Sequence, residues 1–232
     1  MDRECLMLLQ EEMAACRRCR TEGFHIVPGA IFSGDAGADM MIIGQAPGIT
    51  EVTAKRPFNA GSGQRLFQWL SGGGITEPSF RQNQYMTSVT KCYPGKNRSG
   101  KGDRVPSRRE QKLCRAFLEE ELKLANPKII IPVGSLAIRL FFSKALRLSE
   151  VIGKVAFWPD APRDKWPQYD LGAEEMLASL PDTVGANGRW IVPLPHPSGA
   201  SLWPNQPENK LLIEQAVKIL REICSSLEIQ SL

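Results

Sequence analysis

Four cysteines carry the strongest chemical signal in the chain. Cys16 and Cys19 form a C-x2-C pair, and Cys92 and Cys114 follow far downstream. Thiolates in such a set bind zinc or an iron–sulfur cluster. Zinc ribbons more often show two close C-x2-C pairs, whereas one close pair with two scattered partners fits a cluster. The alternative is a chance pair plus two buried thiols that pack as small hydrophobes. Cys5 and Cys224 fall on apolar helix faces and read as packing residues.

A second group of residues belongs to turns. His196 stands in Pro195-His196-Pro197-Ser198-Gly199, where the prolines fix the backbone and hold the imidazole in one direction. It reads either as a hydrogen-bond donor to a developing anion or as a turn histidine satisfied by Ser198. Gly44-Gln45-Ala46-Pro47-Gly48 follows an apolar run and can present backbone N–H groups to a ligand. Phe58 can stack on a flat ring or pack in the core. Lys96, Arg98, Lys101, Arg104, Arg108 and Arg109 make a basic segment that reads as a phosphate-facing surface or as a solvated loop.

These turns need strands and helices to place them. Residues 2–15 read as a helix with Cys5, Leu6, Leu9 and Met13 on its apolar side. Met40–Ile43 is a continuous apolar run ending at Gly44, as in a buried parallel strand. Ser62 is expected to cap a helix through about Leu70, stopped by Gly72-Gly73-Gly74. Tyr85–Thr90 reads as a second strand, Lys128–Val133 as a third and Trp190–Leu194 as a fourth. Ser107 with Glu110 forms a capping-box pattern that starts a helix to about Ala125. Leu136–Phe142 and Glu208–Ser225 are expected helices. The segment from Trp158 to Asn187 is expected to be irregular, with a short helix near Glu174–Leu180. Alternating strands and helices imply a three-layer α/β/α fold around a four-stranded parallel sheet. Ligands of such sheets sit beyond the carboxyl ends of the strands, where both the Gly44 and the His196 turns fall.

A chain of 232 residues is long enough for one well-buried core, and a single domain spanning 1–232 is expected. The net charge of +4 permits an anionic partner without demanding one. No segment approaches the roughly 20 apolar residues of a membrane span. The chain begins Met-Asp-Arg-Glu without an apolar leader, so a cytoplasmic location is expected, where cysteines serve as ligands or buried thiols.

In order, these pieces resemble the iron–sulfur uracil-DNA glycosylases, families 4 and 5 of that superfamily. The carriers are C-R-R-C, G-Q-A-P-G, Glu51 followed by R-P-F and G-S-G, Y-M-T-S-V-T-K-C, P-K-I-I-I-P-V-G and H-P-S-G. The resemblance implies excision of a deaminated base, uracil first and hypoxanthine next, from a flipped nucleotide. It implies that Cys16, Cys19, Cys92 and Cys114 hold a 4Fe-4S cluster with a structural role. It implies a substrate site of Gly44, Ala46, Gly48, Phe58 and Ser88, with His196, Glu51 and Gln45 as the catalytic group. DNA is expected to meet Arg104, Arg108, Arg109 and Ser198. Leu202 or Trp203 would fill the gap left by the flipped base. A monomer is expected. Two departures stand out: Gln45 replaces an acidic residue of family 4, and Ser88 replaces an asparagine that reads the base. The competing reading is a lesion-binding protein that keeps the fold and cluster with little turnover. A further alternative uses the same sheet to bind nucleotides without DNA.

Overall fold

The structure is a computed structural model that describes residues 2–159, 171–181, 188–199 and 201–229. The chain opens with α1 (Asp2–Ala15) and α2 (Arg18–Thr21), then enters β1 (Met40–Gly44). Helices α3 (Ile49–Ala54), α4 (Gly61–Ser71) and α5 (Glu77–Asn83) lead to β2 (Tyr85–Ser88). The long α6 (Arg108–Ala125) precedes β3 (Ile129–Pro132), and α7 (Ser135–Ile138) and α8 (Leu148–Val151) follow. Strands β4 (Val155–Pro159), β5 (Met176–Leu177) and β6 (Gly188–Ile191) complete the sheet before α9 (Pro207–Ser226).

The strand order is β2-β1-β3-β6-β4-β5. The first four strands run parallel, as expected, while β4 pairs antiparallel with β6 and with β5. The sheet therefore has six strands rather than four. β5 and the end of β4 fall in the segment expected to be irregular, and Ala173–Glu175 is a single 3-10 turn where a short helix near Glu174–Leu180 was expected. A helix that short is costly to nucleate, and pairing of Met176 and Leu177 with Ala156 and Val155 satisfies their backbones instead. Residues 160–170 and 182–187, and Ala200, lie outside the described residues.

Other boundaries move too: β2 ends at Ser88 rather than Thr90, and α7 ends at Ile138 rather than Phe142. β6 ends at Ile191 rather than Leu194 because Pro193 and Pro195 have no N–H to give to a ladder; Leu194 keeps one bridge to Val133. The N-cap of α4 is Ala60, so Ser62 falls inside the first turn. Ser107 does cap α6, with reciprocal bonds to Glu110. Cys224 is buried as expected, but Cys5 is exposed, because α1 turns Leu6, Leu9 and Met13 inward.

All five residues of β1 are buried, as a central strand covered on both faces requires. α1 packs on α6, and α4 packs on α9, giving the outer layers. Because β1 has β2 on one side and β3 on the other, the strand order reverses there. That reversal opens a crevice beyond the strand ends, where ligands of doubly wound sheets bind.

Candidate active site

One cavity occupies this crevice. Its wall takes Gly44–Gly48 after β1, Ser88 from β2, Val133 and Ser135 after β3, and His196 after β6. Gly134 makes room for the imidazole. It holds φ +85, and a Cβ there would come within 3.0 Å of the His196 ring.

His196 has a defined tautomer. The Ser198 N–H donates to its Nδ1 at 3.2 Å, and Ser198 Oγ lies 2.9 Å from the same nitrogen. An Nδ1 that accepts leaves the proton on Nε2 in the neutral ring. Burial lowers the His196 pKa below its ordinary 6.5, so at neutral pH this side chain is an uncharged donor. Ser198 therefore orients His196, and it also lines the cavity.

Across the cavity, Phe58 lies against Gly44, where a Cβ would come within 2.9 Å of the ring. Phe58 has φ 50, a left-handed conformation that costs a bulky residue about 1–3 kcal/mol. Three groups hold it. Its N–H donates to Glu51, its carbonyl accepts from Arg81 Nη2 at 2.8 Å, and Gly63 lets the α4 backbone approach that carbonyl. Arg81 also donates to the Pro57 carbonyl at 2.9 Å and is fixed by Glu77 at 2.7 Å. Nothing in the local sequence marks Arg81 except its i,i+4 partner.

Glu51 sits at the third position of α3, accepting N–H groups from both Gly48 and Phe58. Its carboxylate thus ties the first turn to the aromatic one. Burial raises its pKa, against those backbone bonds, and nearby Asp103 adds to the rise. Gln45 and Ala46 line the cavity, and the Gln45 carbonyl accepts from the Thr90 N–H at 3.3 Å. The Ser88 hydroxyl is turned away from solvent and donates to the Thr90 carbonyl at 2.8 Å, so its one donor is occupied.

The expected basic surface divides. Arg104 forms paired bonds to Glu110 at 2.7 and 2.6 Å, and Arg109 pairs with Glu22. Arg108 is exposed, with no ion pair among the described residues. Leu202 is 73% exposed beside the cavity, whereas Trp203 packs against the core. Of the two apolar candidates, only Leu202 has its side chain mostly in solvent. A separate groove, missed in the sequence, gathers Arg65, Lys210, Lys218 and Arg221 around Trp69.

The four cysteines come together in a second cavity with Thr90, Lys91 and Phe117. Burial pushes the Cys19 thiol up to about 12 and the Cys92 thiol up to about 11, with Cys114 and Cys16 adding to both. Among the described residues no three side chains of ligating type approach closely enough to hold one metal ion. Four thiols lining one cavity are the donor type that an iron–sulfur cluster takes. The cavity also holds an orphan: the buried Thr90 Oγ1 has no partner. A cluster sulfur would satisfy it.

Between the two cavities lies a buried ion pair that sequence reasoning missed. Lys91 is 2% exposed and Glu121 0%, and they contact each other directly. Lys91 Nζ also donates to the Ser88 carbonyl at 2.6 Å and to Thr87 at 2.7 Å, and the Tyr85 hydroxyl donates to Glu121 at 3.1 Å. The Lys91 N–H meets Cys114 Sγ at 3.3 Å. One residue thus links the pocket wall to the cysteine cavity.

The described fold and crevice define a doubly wound α/β protein that presents one histidine, one aromatic ring and a Gly/Pro turn to a small flat ligand. The profile of the Uracil DNA glycosylase superfamily matches residues 31–221, and the chain belongs to that superfamily. It is similar to the type-4 uracil-DNA glycosylase of Sulfurisphaera tokodaii, 29% identical over 222 residues, 95% of this chain and 85% of the relative. The type-4 enzyme of Pyrobaculum aerophilum is 31% identical over 152 residues, 65% of this chain and 71% of the relative. The type-5 uracil-DNA glycosylase of the same organism is 30% identical over 117 residues, covering 46% and 49%. No described helix is long and apolar enough to cross a membrane.

Proposed function

We propose that the protein excises uracil, and with modest preference other deaminated bases, from DNA as the first step of base excision repair. The observation that carries this reading is His196, held by Ser198 as a neutral Nε2–H donor in the wall of the strand-end pocket. The glycosidic bond breaks with its electron pair leaving on the base, and the donor stabilises the charge that builds on a base carbonyl oxygen. Phe58 stacks on the base, while Gly44, Ala46 and Gly48 close around its edge. Glu51 keeps those two loops in register. Gln45 orients water near the sugar. Ser88, with its donor spent on Thr90, reads the base weakly. A bidentate reader is worth about 1–3 kcal/mol in recognising a base. Leu202 fills the vacated stack. DNA is held by Arg108 and the Arg65–Lys210–Lys218–Arg221 groove more than by the ion-paired Arg104 and Arg109.

Cys16, Cys19, Cys92 and Cys114 would hold a 4Fe-4S cluster. When bound, that cluster supplies no catalytic step and ties α2 to the chain after β2. Excision is tested by abasic-site cleavage on duplexes carrying one uracil, hypoxanthine, xanthine or ethenocytosine. Cleavage of uracil within about tenfold of hypoxanthine is expected, as a 1–3 kcal/mol reader is missing. Tight lesion binding without cleavage would instead favour a lesion-binding protein.

A further inference from the structure

We propose that Asp103 is a second pocket carboxylate, which supplies the negative charge that the amide of Gln45 cannot and stabilises the sugar cation as the base departs. This rests on the glycosylase reading of the site.

Asp103 is the one acid of the basic segment from Lys96 to Arg109. Residues 95–104 form a tight hairpin. Lys96 and Asp103 bridge antiparallel, the Asn97 N–H donates to the Gly102 carbonyl at 2.8 Å, and the Arg104 N–H donates to the Gly95 carbonyl at 2.9 Å. The Arg104–Glu110 pair fastens the hairpin base to α6. Asp103 Oδ1 accepts from the Tyr93 hydroxyl at 2.8 Å and from Lys96 at 3.1 Å. Those bonds fix the carboxyl plane. Among the described residues no hydrogen bond reaches Oδ2.

That oxygen faces the turn after β1. A Cβ on Gly48 would lie 3.4 Å from Asp103 Oδ2 and 3.6 Å from Glu51 Oε2, so two carboxylates converge on Gly48 in the pocket wall. They are not equivalent. Glu51 is occupied by the backbone N–H groups of Gly48, Phe58 and Asn59, whereas one oxygen of Asp103 is uncommitted. A free carboxylate oxygen beside another carboxylate is poorly placed until a cation arrives. The Lys96 ammonium offsets part of the charge, but it is half exposed and screened by solvent.

The reaction creates such a cation. When the C1′–N bond breaks, both electrons leave on the base and C1′ becomes cationic. Water then adds to C1′ and gives up a proton, and the departing base anion takes up a proton. Asp103 forms no bond in this sequence; its charge acts across the pocket.

The test is single-turnover excision of uracil from duplex DNA at saturating enzyme by wild type, Asp103→Asn, Gln45→Glu and the double variant. Asparagine keeps the size of the side chain and can still accept from Tyr93. Asp103→Asn is expected to slow excision about 10- to 100-fold, the effect of one charge at a few ångströms in a protein dielectric, with DNA binding little changed. Gln45→Glu should restore most of that loss and should accelerate Asp103→Asn more than wild type. Wild-type rates in Asp103→Asn would overturn this role and leave the glycosylase reading standing. A slow Asp103→Asn that Gln45→Glu does not rescue would show a merely structural role and overturn it as well. A wild type inactive on every base would remove both readings together.

Discussion

The strand-end pocket and the cysteine cavity lie on either side of the residues that follow β2, and they are built in opposite ways. The pocket is made of backbone exceptions. Gly134 at φ +85 seats the imidazole, and Phe58 at φ 50 is held by Glu51 and Arg81. The cysteine cavity is made of ordinary helix and loop backbone, and its organisation comes from side chains: four thiols, an orphaned Thr90 hydroxyl and the buried Lys91. A site that must orient a reacting ligand stores strain in its loops. A site that must hold a group in place gathers ligands from distant segments and relies on the group to fix them. Lys91 joins the two, so damage to the second should reach the first.

That link sets the largest expected effect. Glu121→Gln leaves the Lys91 ammonium buried without its counter-charge and should destabilise the fold by about 3–5 kcal/mol. The Lys91→Met, Glu121→Leu double variant should recover much of this, because neither charge remains. Denaturant unfolding of the single and double variants measures both. Equal losses would mean that the pair is not the link between the cavities. A smaller effect is confined to the pocket. Arg81→Met removes the bonds to the Pro57 and Phe58 carbonyls and the pair with Glu77; it should lower the excision rate about tenfold and cost about 1–3 kcal/mol of stability, less than the loss of Glu121. A loss of stability as large as that of Glu121→Gln would instead make Arg81 part of the core rather than of the aromatic clamp.

The smallest effect is a titration. His25 and His196 are the only histidines in the chain, so their ring resonances can be followed separately by NMR. His196 should titrate below 6.5, because burial disfavours the imidazolium. Its folded pKa lies below its unfolded one. The stability it contributes is therefore present above about 6.5 and is lost as pH falls through the folded value. His196→Gln should flatten that limb of the stability profile. A His196 that titrates above 6.5 would remove the neutral donor from the account.

Much of this was legible in the residues. The run Met40–Ile43 announced a central strand, Ser107 with Glu110 marked a helix start, and the Gly44 and His196 turns fell where a parallel sheet puts its ligands. The four cysteines singled out by type line one cavity. What stayed hidden depended on tertiary pairing. β4 and β5 exist because they complete an edge of the sheet, and no periodicity in two residues can declare that. Lys91, Glu121 and Arg81 look like surface charges in a linear chain and are placed by packing alone. The basic segment misled for the same reason. Its sign was visible, but Glu22 and Glu110, which occupy Arg109 and Arg104, come from elsewhere in the chain. Its one acid, Asp103, points into the pocket.

Donation by His196 to the leaving base stands or falls on one pair of rates. Single-turnover excision of uracil should proceed readily with the wild type and fall about 100- to 1,000-fold in His196→Ala, the usual cost of one such donor. DNA affinity and the unfolding midpoint should stay near wild type. A His196→Ala protein that excises uracil at close to the wild-type rate would contradict the mechanism even with the fold intact.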